Sequence, residues 1–497
     1  MKKFKILLFT LIIGIFLFGW YEVINSKVSE RSFLVKLIPE STKEFLKKNI
    51  FYIPALIKNY ETLSMQYEKN KHDLNEKNLK NIYIWKNLYS LIQKGYFIIK
   101  KNESFLKTEA LETLEINTKQ VDETIKYKDL NFEYELDKFN LPFLDRNSWN
   151  KPTAFIEKYK NYLWIVTGDG MLFKVNTNEL FLNEARFELV KSNFTELNLD
   201  SLFYDGGGHS IKDLYIDNEK IYLSYTKEIK SNCYNTSIIY SNLNQDALYF
   251  EDLFTYQECQ SRNNPEYVEI QSGGRIEKYN NDYIIFSIGE YRNRKLAQID
   301  ESLFGKIILI NTNTKTHKII SKGHRNPQGL FFDFENNVLI STEHGPKGGD
   351  EVNIHKNIDK NLINNYGWPI SSYGEHYDGK ARIDAPLYKS HKKYGFIEPI
   401  KYYTPSIGVS DIEKVNFDSS YKNYNQFIIA TLGSNLEANQ MSLHYLVFNK
   451  NYDEIIKENI IPIGERIRDI VNLDDKNFIL MLESNPSIGL LKINTLD

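Results

Sequence analysis

Three short runs carry residue types that can do chemistry. Residues 323–330 read Gly323, His324, Arg325, Asn326, Pro327, Gln328, Gly329, Leu330. Residues 343–351 read Glu343, His344, Gly345, Pro346, Lys347, Gly348, Gly349, Asp350, Glu351, and residues 365–369 read Asn365, Tyr366, Gly367, Trp368, Pro369. Arg325 offers a planar fork of donors that matches a carboxylate. Around Gly345 and Pro346 the chain can turn its backbone carbonyls outward, because glycine permits unusual dihedrals and proline has no N–H to compete. Carbonyls and carboxylates such as those of Asp350 and Glu351 are the ligands a hard cation like calcium takes. Together these residues suit an anionic group bound along with a hard cation. Arg466 and Arg468 add two more forks near the C-terminus. The bland alternatives are a tight turn with exposed acids, and arginines that each pair with a nearby acid such as Asp469.

These groups are far apart in sequence, so the fold must gather them. A repeat does so. A short strand, a tight polar turn and a second strand recur with starts at 154, 211, 274, 329, 411 and 466. The intervals are 55 to 63 residues except one of 82. Regular all-β units at this spacing are propeller blades. Six units predict six blades over 149–497, with residues 489–493 as a candidate closing strand. The long interval holds residues 345–405, and an insertion in a regular array is usually a functional loop on one face. The repeat predicts that His209, Gln271, Glu290, Arg325, Asn326, Arg466 and Arg468 converge at one end of the channel.

The rest of the chain sets the context. A net charge of −3 over 497 residues gives no basic field for nucleic acid. Aromatics at 14% suit a β-rich body. Lys2, Lys3 and Lys5 precede an apolar run over residues 6–21, somewhat short of the ~20 residues that span a bilayer. Trp20 and Tyr21 favour a retained anchor over a cleaved signal. In either case the body is exported, on the periplasmic or extracellular side of the cytoplasmic membrane. Residues 22–148 are rich in Lys, Glu, Asn and Leu, and read as a small α-helical spacer or cap. The only two cysteines, Cys233 and Cys259, can pair in an oxidising compartment or remain buried thiols.

The three opening runs, with Ser371, Ser372, Tyr373 and Gly374 after them, resemble the quinoprotein aldose, glucose and sorbosone dehydrogenases. The likeness extends more weakly over residues 150–497. It implies a six-bladed β-propeller using pyrroloquinoline quinone (PQQ) and Ca²⁺ to oxidise a small sugar or glycan. By resemblance Arg325, Asn326, Arg466 and Arg468 face PQQ, and Gly345 and Pro346 supply carbonyls to its calcium. Asp350, Glu351 and Tyr366 match the neighbourhood of a structural calcium. One departure matters. The position of the family's catalytic histidine falls on Gln271, whose amide has no accessible proton-accepting pKa. The aspartate that orients that histidine falls on Glu290. Three readings follow: Glu290 acts as base, His209 supplies an imidazole, or the propeller binds carbohydrate without turnover. A hydrolase on a similar propeller would need side-chain calcium ligands deep in the channel, and the opening runs argue against it. The electron acceptor has no signature in the sequence.

Overall fold

The computed structural model describes residues 115–141, 153–194, 208–484 and 486–496, apart from 169, 183, 245, 246, 359 and 361. Five of the six repeat starts fall on the innermost strands of six blades, and the sixth, 466, lies one residue before its strand. These strands are Ala154–Tyr159, Ile211–Asp217, Gly273–Lys278, Pro327–Asp333, Val409–Val415 and Ile467–Asn472. Each touches the next around a closed ring. Five of the six are followed by a strand that is almost wholly buried, such as Tyr283–Ile288, Val338–Glu343 and Asn477–Leu482, and the sixth, Lys220–Lys230, is buried over residues 221–226. Runs of this kind are apolar on both faces because blades stack face to face, so neither side meets water. The hairpin turns suit their residues. Asn218 and Glu219 both adopt positive φ, 48° and 59°, in the two-residue turn between Asp217 and Lys220. That geometry matches the strand twist.

The ring closes differently from the expectation. Residues 489–493 lie in Ser487–Thr495, the third strand of the sixth blade. The outer strand of that blade is Phe132–Asn140, paired with Ser487–Thr495 along its whole length. The strand Glu115–Lys128 then pairs with both Phe132–Asn140 and Glu184–Val190, joining the sixth and first blades in one nine-stranded sheet. The helical reading of 22–148 therefore fails over 115–140, and the propeller begins before residue 149. The remainder of that region, and the apolar run over 6–21, lie outside the described residues. Among the described residues no helix is long and apolar enough to cross a membrane.

Closure has a measurable consequence. Phe132, Tyr134, Leu136 and Phe139 are all buried in the cores of the closing blades. Burial of four such side chains contributes about 6–12 kcal/mol, comparable to the whole stability of a typical domain. A chain started at residue 149 is expected to lack a cooperative urea transition, whereas one started just before Glu115 keeps it. Equal transitions for the two would refute this account of closure.

Cys233 and Cys259 are disulfide-bonded. The bond ties the strand Cys233–Asn242 to the segment carrying Gln260–Ser261.

At the axis one position of each inner strand meets the others: Phe155, Asp213, Arg275, Gly329, Asp411 and Asp469. Five of the six strands bulge at or just before it. Arg275 reaches all five other blades. Its Nη1 donates to Asp213 (2.9 Å) and Asp469 (2.7 Å). Nη2 donates to the carbonyls of Ser410 (3.0 Å) and Arg468 (3.1 Å), and Nε to that of Gln328 (2.6 Å). The guanidinium also lies 5.3 Å from the Phe155 ring. All five donors of the fork are thus used. The aspartates stitch blade to blade with their second oxygens, Asp213 to the Ile276 N–H, Asp411 to that of Ile470 and Asp469 to that of Ile156. Gly329 must be glycine, since a Cβ there would stand 2.5 Å from Thr342 Oγ1 and 3.0 Å from the Asp411 backbone.

Candidate active site

Inner strands start, and their hairpin partners end, at the same face of the ring. Residues just before the first strand and just after the second are therefore gathered there. Gln271 and Glu290 come from the third blade, Arg325 and His344 from the fourth, and Arg466, Arg468 and Glu483 from the sixth. The insertion between the fourth blade's strands adds Trp368. Glu290, Glu343 and Glu483 end or follow the second strands of three blades; Glu343 and Glu483 bond arginines of this face, and Glu290 meets Arg325 through Gln271.

Glu483 is completely buried and binds both expected arginines, Arg468 Nε at 2.7 Å and Arg466 Nη2 at 3.1 Å. Burial opposes its charge, but the two guanidinium groups hold it below the usual carboxylate range. Asp469, the nearby acid, is instead taken by Arg275. Arg466 Nε is buried without a partner. Arg325 is braced through its own backbone, whose N–H donates to Glu343 at 2.7 Å. Its Nη1 donates to the His344 carbonyl at 3.0 Å, and its guanidinium stands 5.4 Å from the Trp368 ring. With the Gln271 amide turned to satisfy both neighbours, its oxygen accepts from Arg325 Nη2 at 3.0 Å and its nitrogen donates to Glu290 Oε1 at 2.7 Å.

Glu290 is fully buried, and burial pushes its carboxyl up to about 7 against the pull of Arg325 and Arg294. Its second oxygen has no partner. Gln271 stands at the wall of the cavity and Glu290 behind it. The imidazole of His344 is held down to about 4, first by burial and then, against the pull of Asp350, by Arg325, Arg468 and Arg466, so it is neutral at physiological pH. Lys212, on the second blade, is also perturbed: burial and Arg468 bring its ammonium down to about 7. Neither residue stood out in the sequence, since only the carbonyls around His344 drew attention there. His209 is placed elsewhere. It is buried, bonded through Nε2 to Tyr267 at 2.7 Å and packed on Tyr234, and it does not line the cavity.

A small, partly open cavity lies beside these groups, lined by Gln271, Arg325, Pro346 and Trp368 among others. An anionic, carboxylated group fits this face: Arg466 Nε lacks a partner, and Arg325 forms no ion pair with a carboxylate among the described residues. Pro346 lines the cavity, and its carbonyl meets Ser406 Oγ only at 3.4 Å. Gly345 allows the tight turn there, where a Cβ would stand 2.2 Å from the Gly349 oxygen. These two carbonyls suit a cation shared with a ligand.

The other three expected calcium neighbours are engaged within the protein. Asp350 accepts the Gly345 N–H (2.9 Å) through one oxygen and the Gly408 N–H (2.7 Å) through the other. Glu351 pairs with His391 at 3.2 Å and accepts from Asn353 at 3.2 Å. Tyr366 donates to the Ile354 carbonyl at 2.9 Å and lies against the rings of His324 and His355. Each carboxylate oxygen of Asp350 and Glu351 already meets a protein donor, and no cluster of three metal-binding side chains occurs among the described residues. Asn326 also has a structural task. Its oxygen accepts the Gly273 N–H at 3.0 Å and Gln328 Nε2 at 3.1 Å, bracing the start of the third blade.

Comparison with known proteins agrees with this arrangement. The chain is 27% identical over 298 residues to an aldose sugar dehydrogenase from Escherichia coli strain K12, covering 56% of this chain and 74% of that protein. It is 29% identical over 236 residues to an uncharacterized protein from Synechocystis, covering 43% of this chain and about half (53%) of that one. Among solved structures, the soluble aldose sugar dehydrogenase of Escherichia coli in its apo form superposes with a TM-score of 0.54 at 21% identity, covering 73% of this chain and all (100%) of that one. A glucose dehydrogenase gives 0.54 at 22% identity, covering 70% and 98%. These structural likenesses show a common fold. The sequence pattern of the Glucose / Sorbosone dehydrogenase family matches residues 205–492, so the chain belongs to that family.

Proposed function

We propose that this chain is an exported, membrane-anchored sugar dehydrogenase that uses PQQ together with Ca²⁺. It oxidises a hydroxyl of a sugar or glycan and passes electrons to an acceptor outside the cytoplasm. One observation carries the reading: Arg325, Arg466 and Arg468 gather at one face with the cavity at Arg325, and among the described residues Glu483 is the one carboxylate that pairs with any of them. That is a site short of anions. When bound, PQQ accepts the two electrons and the hydrogen removed from the sugar carbon.

The protein's own residues do the rest. Arg325, Arg466 and Arg468 hold carboxylates, and the carbonyls of Gly345 and Pro346 hold the cation. Trp368 gives the sugar an apolar face. Glu290 takes the hydroxyl proton, since a base works best with a pKa near the working pH. Gln271 and Arg325 fix its orientation. Export is supported by the Cys233–Cys259 disulfide, a bond of oxidising compartments, and by the apolar N-terminal run.

A second reading, carbohydrate binding without turnover, is favoured by the placement of Gln271. An amide, not an acid or base, stands between Glu290 and the cavity. The test is fluorescence titration of the full chain with PQQ and Ca²⁺, followed by dye reduction over a panel of sugars. Saturable PQQ binding with sugar-dependent dye reduction is expected. No PQQ binding sinks the dehydrogenase, and PQQ binding without reduction supports the second reading.

A further inference from the structure

The same cavity carries a second basic group at its rim. Arg292 and Arg294 follow Glu290 in the third blade, and Arg382 descends from the insertion in the fourth; all three line the cavity with Arg325. The acids facing them do not balance this charge. Glu266 pairs with Arg294 and stands 3.8 Å from Arg382, and Asp378 bonds Arg382 at 3.0 Å. Both carboxylates are more than two-fifths exposed, 45% and 42%, so water screens them. The third acid, Glu290, is pushed toward its neutral form by burial. Arg292 and Arg325 have no carboxylate within ion-pair distance among the described residues.

Hydrogen-bond satisfaction points the same way. Two buried polar atoms without a partner belong to residues that line this space: Arg382 Nε and Trp368 Nε1. Both are donors beside the arginines, and an acceptor on a ligand would satisfy them. Trp368 and the exposed ring of Tyr377 supply flat apolar faces of the kind a sugar ring packs on.

We propose that the substrate is an anionic sugar, whose carboxylate or phosphate lies among Arg292, Arg294 and Arg382 while the hydroxyl to be oxidised points toward Glu290. The inference rests on the sugar-oxidising reading above and adds the class of sugar. A neutral sugar would leave the rim charge uncompensated.

Calorimetric titration of the full chain, without PQQ, tests it with three probes: D-glucuronate, glucose 6-phosphate and glucose. At least one anion is expected to bind roughly tenfold or more tighter than glucose, the value of one added charged hydrogen bond. High salt is expected to narrow the gap. Glucuronate alone binding tightly identifies a carboxylate site, glucose 6-phosphate alone a phosphate site, and both a general anion site. Arg292→Gln and Arg382→Gln are expected to remove the preference, and Arg292→Lys to keep most of it. Melting without ligand shows whether each variant is folded. Equal binding of all three probes, or a preference untouched in folded Arg292→Gln and Arg382→Gln chains, overturns the proposal. Because PQQ is absent, that failure leaves the dehydrogenase standing, whereas loss of PQQ binding alone leaves the anion site standing.

Discussion

Arg275→Met is expected to destabilise the propeller by about 4 kcal/mol or more at pH 8, the usual cost of removing one partner from a buried charge network. The side chain that replaces it cannot satisfy the two carbonyls, the third at Gln328, or the carboxylates of Asp213 and Asp469 that the guanidinium now binds. Asp411, 3.7 Å from Nη2, would lose its nearest cation as well. Arg275→Lys is expected to recover little, because a point charge cannot replace a five-donor fork.

The penalty should depend on pH in a definite direction. Burial pushes Asp213 up to about 7 even with Arg275 present, and Asp411 is pushed well above its ordinary range. In an unfolded chain these groups titrate near 3.9. A carboxyl raised on folding contributes stability that is fully present below the unfolded pKa and lost as pH rises through the folded one. Loss of Arg275 raises both further and deepens the loss at alkaline pH. The gap between wild type and Arg275→Met, read from urea unfolding, should therefore shrink from pH 8 to pH 5.5. A gap below about 1 kcal/mol, or one that does not change with pH, contradicts the picture of Arg275 as the hub of the six blades.

How far the sequence discloses this molecule depends on which forces leave a local pattern. The six inner strands were legible because each is a short apolar run ended by a tight turn, repeated at near-constant spacing. The closing strand was hidden by composition. Phe132, Tyr134 and Leu136 alternate with Glu133 and Glu135 in the period of a strand. They lie in a Lys- and Glu-rich stretch: the partner in the sixth blade is more than 340 positions away, and the hairpin partner, Glu115–Lys128, has the same charged composition. The site divides in the same way. Arg325, Arg466 and Arg468 sit at repeat-defined corners and were found. Glu483, which holds two of them, ends a strand that reads as plain core. Arg292, Arg294 and Arg382 lie in a turn and an insertion outside the repeat, and only the folded loops bring them together. Acid content at Asp350 and Glu351 shows available oxygens, but not which backbone N–H groups and side chains the fold brings to them.

The chemistry depends on the pair at the cavity wall, and Gln271→His is expected to raise PQQ- and Ca²⁺-dependent turnover by roughly 10²–10⁴-fold, the range a positioned acid–base group contributes. The reason is geometric. The Gln271 amide nitrogen stands 2.7 Å from Glu290 Oε1, so an imidazole nitrogen in its place can donate to the same carboxylate and turn its other nitrogen to the cavity. Glu290 would then orient and charge-stabilise the histidine, which becomes the proton acceptor. The companion variant Glu290→Gln distinguishes the readings. If Glu290 is already the base, turnover of the natural chain rises as pH increases through about 7, where its carboxyl ionises, and Glu290→Gln abolishes it. If the natural chain binds without turnover, Glu290→Gln changes nothing in the Gln271 background but cancels the gain in Gln271→His. Both outcomes keep PQQ affinity, which rests on the arginines, so titration separates a lost base from a lost site. Failure of Gln271→His to raise turnover, in a folded chain that still binds PQQ, would show that a missing proton acceptor is not what limits this propeller.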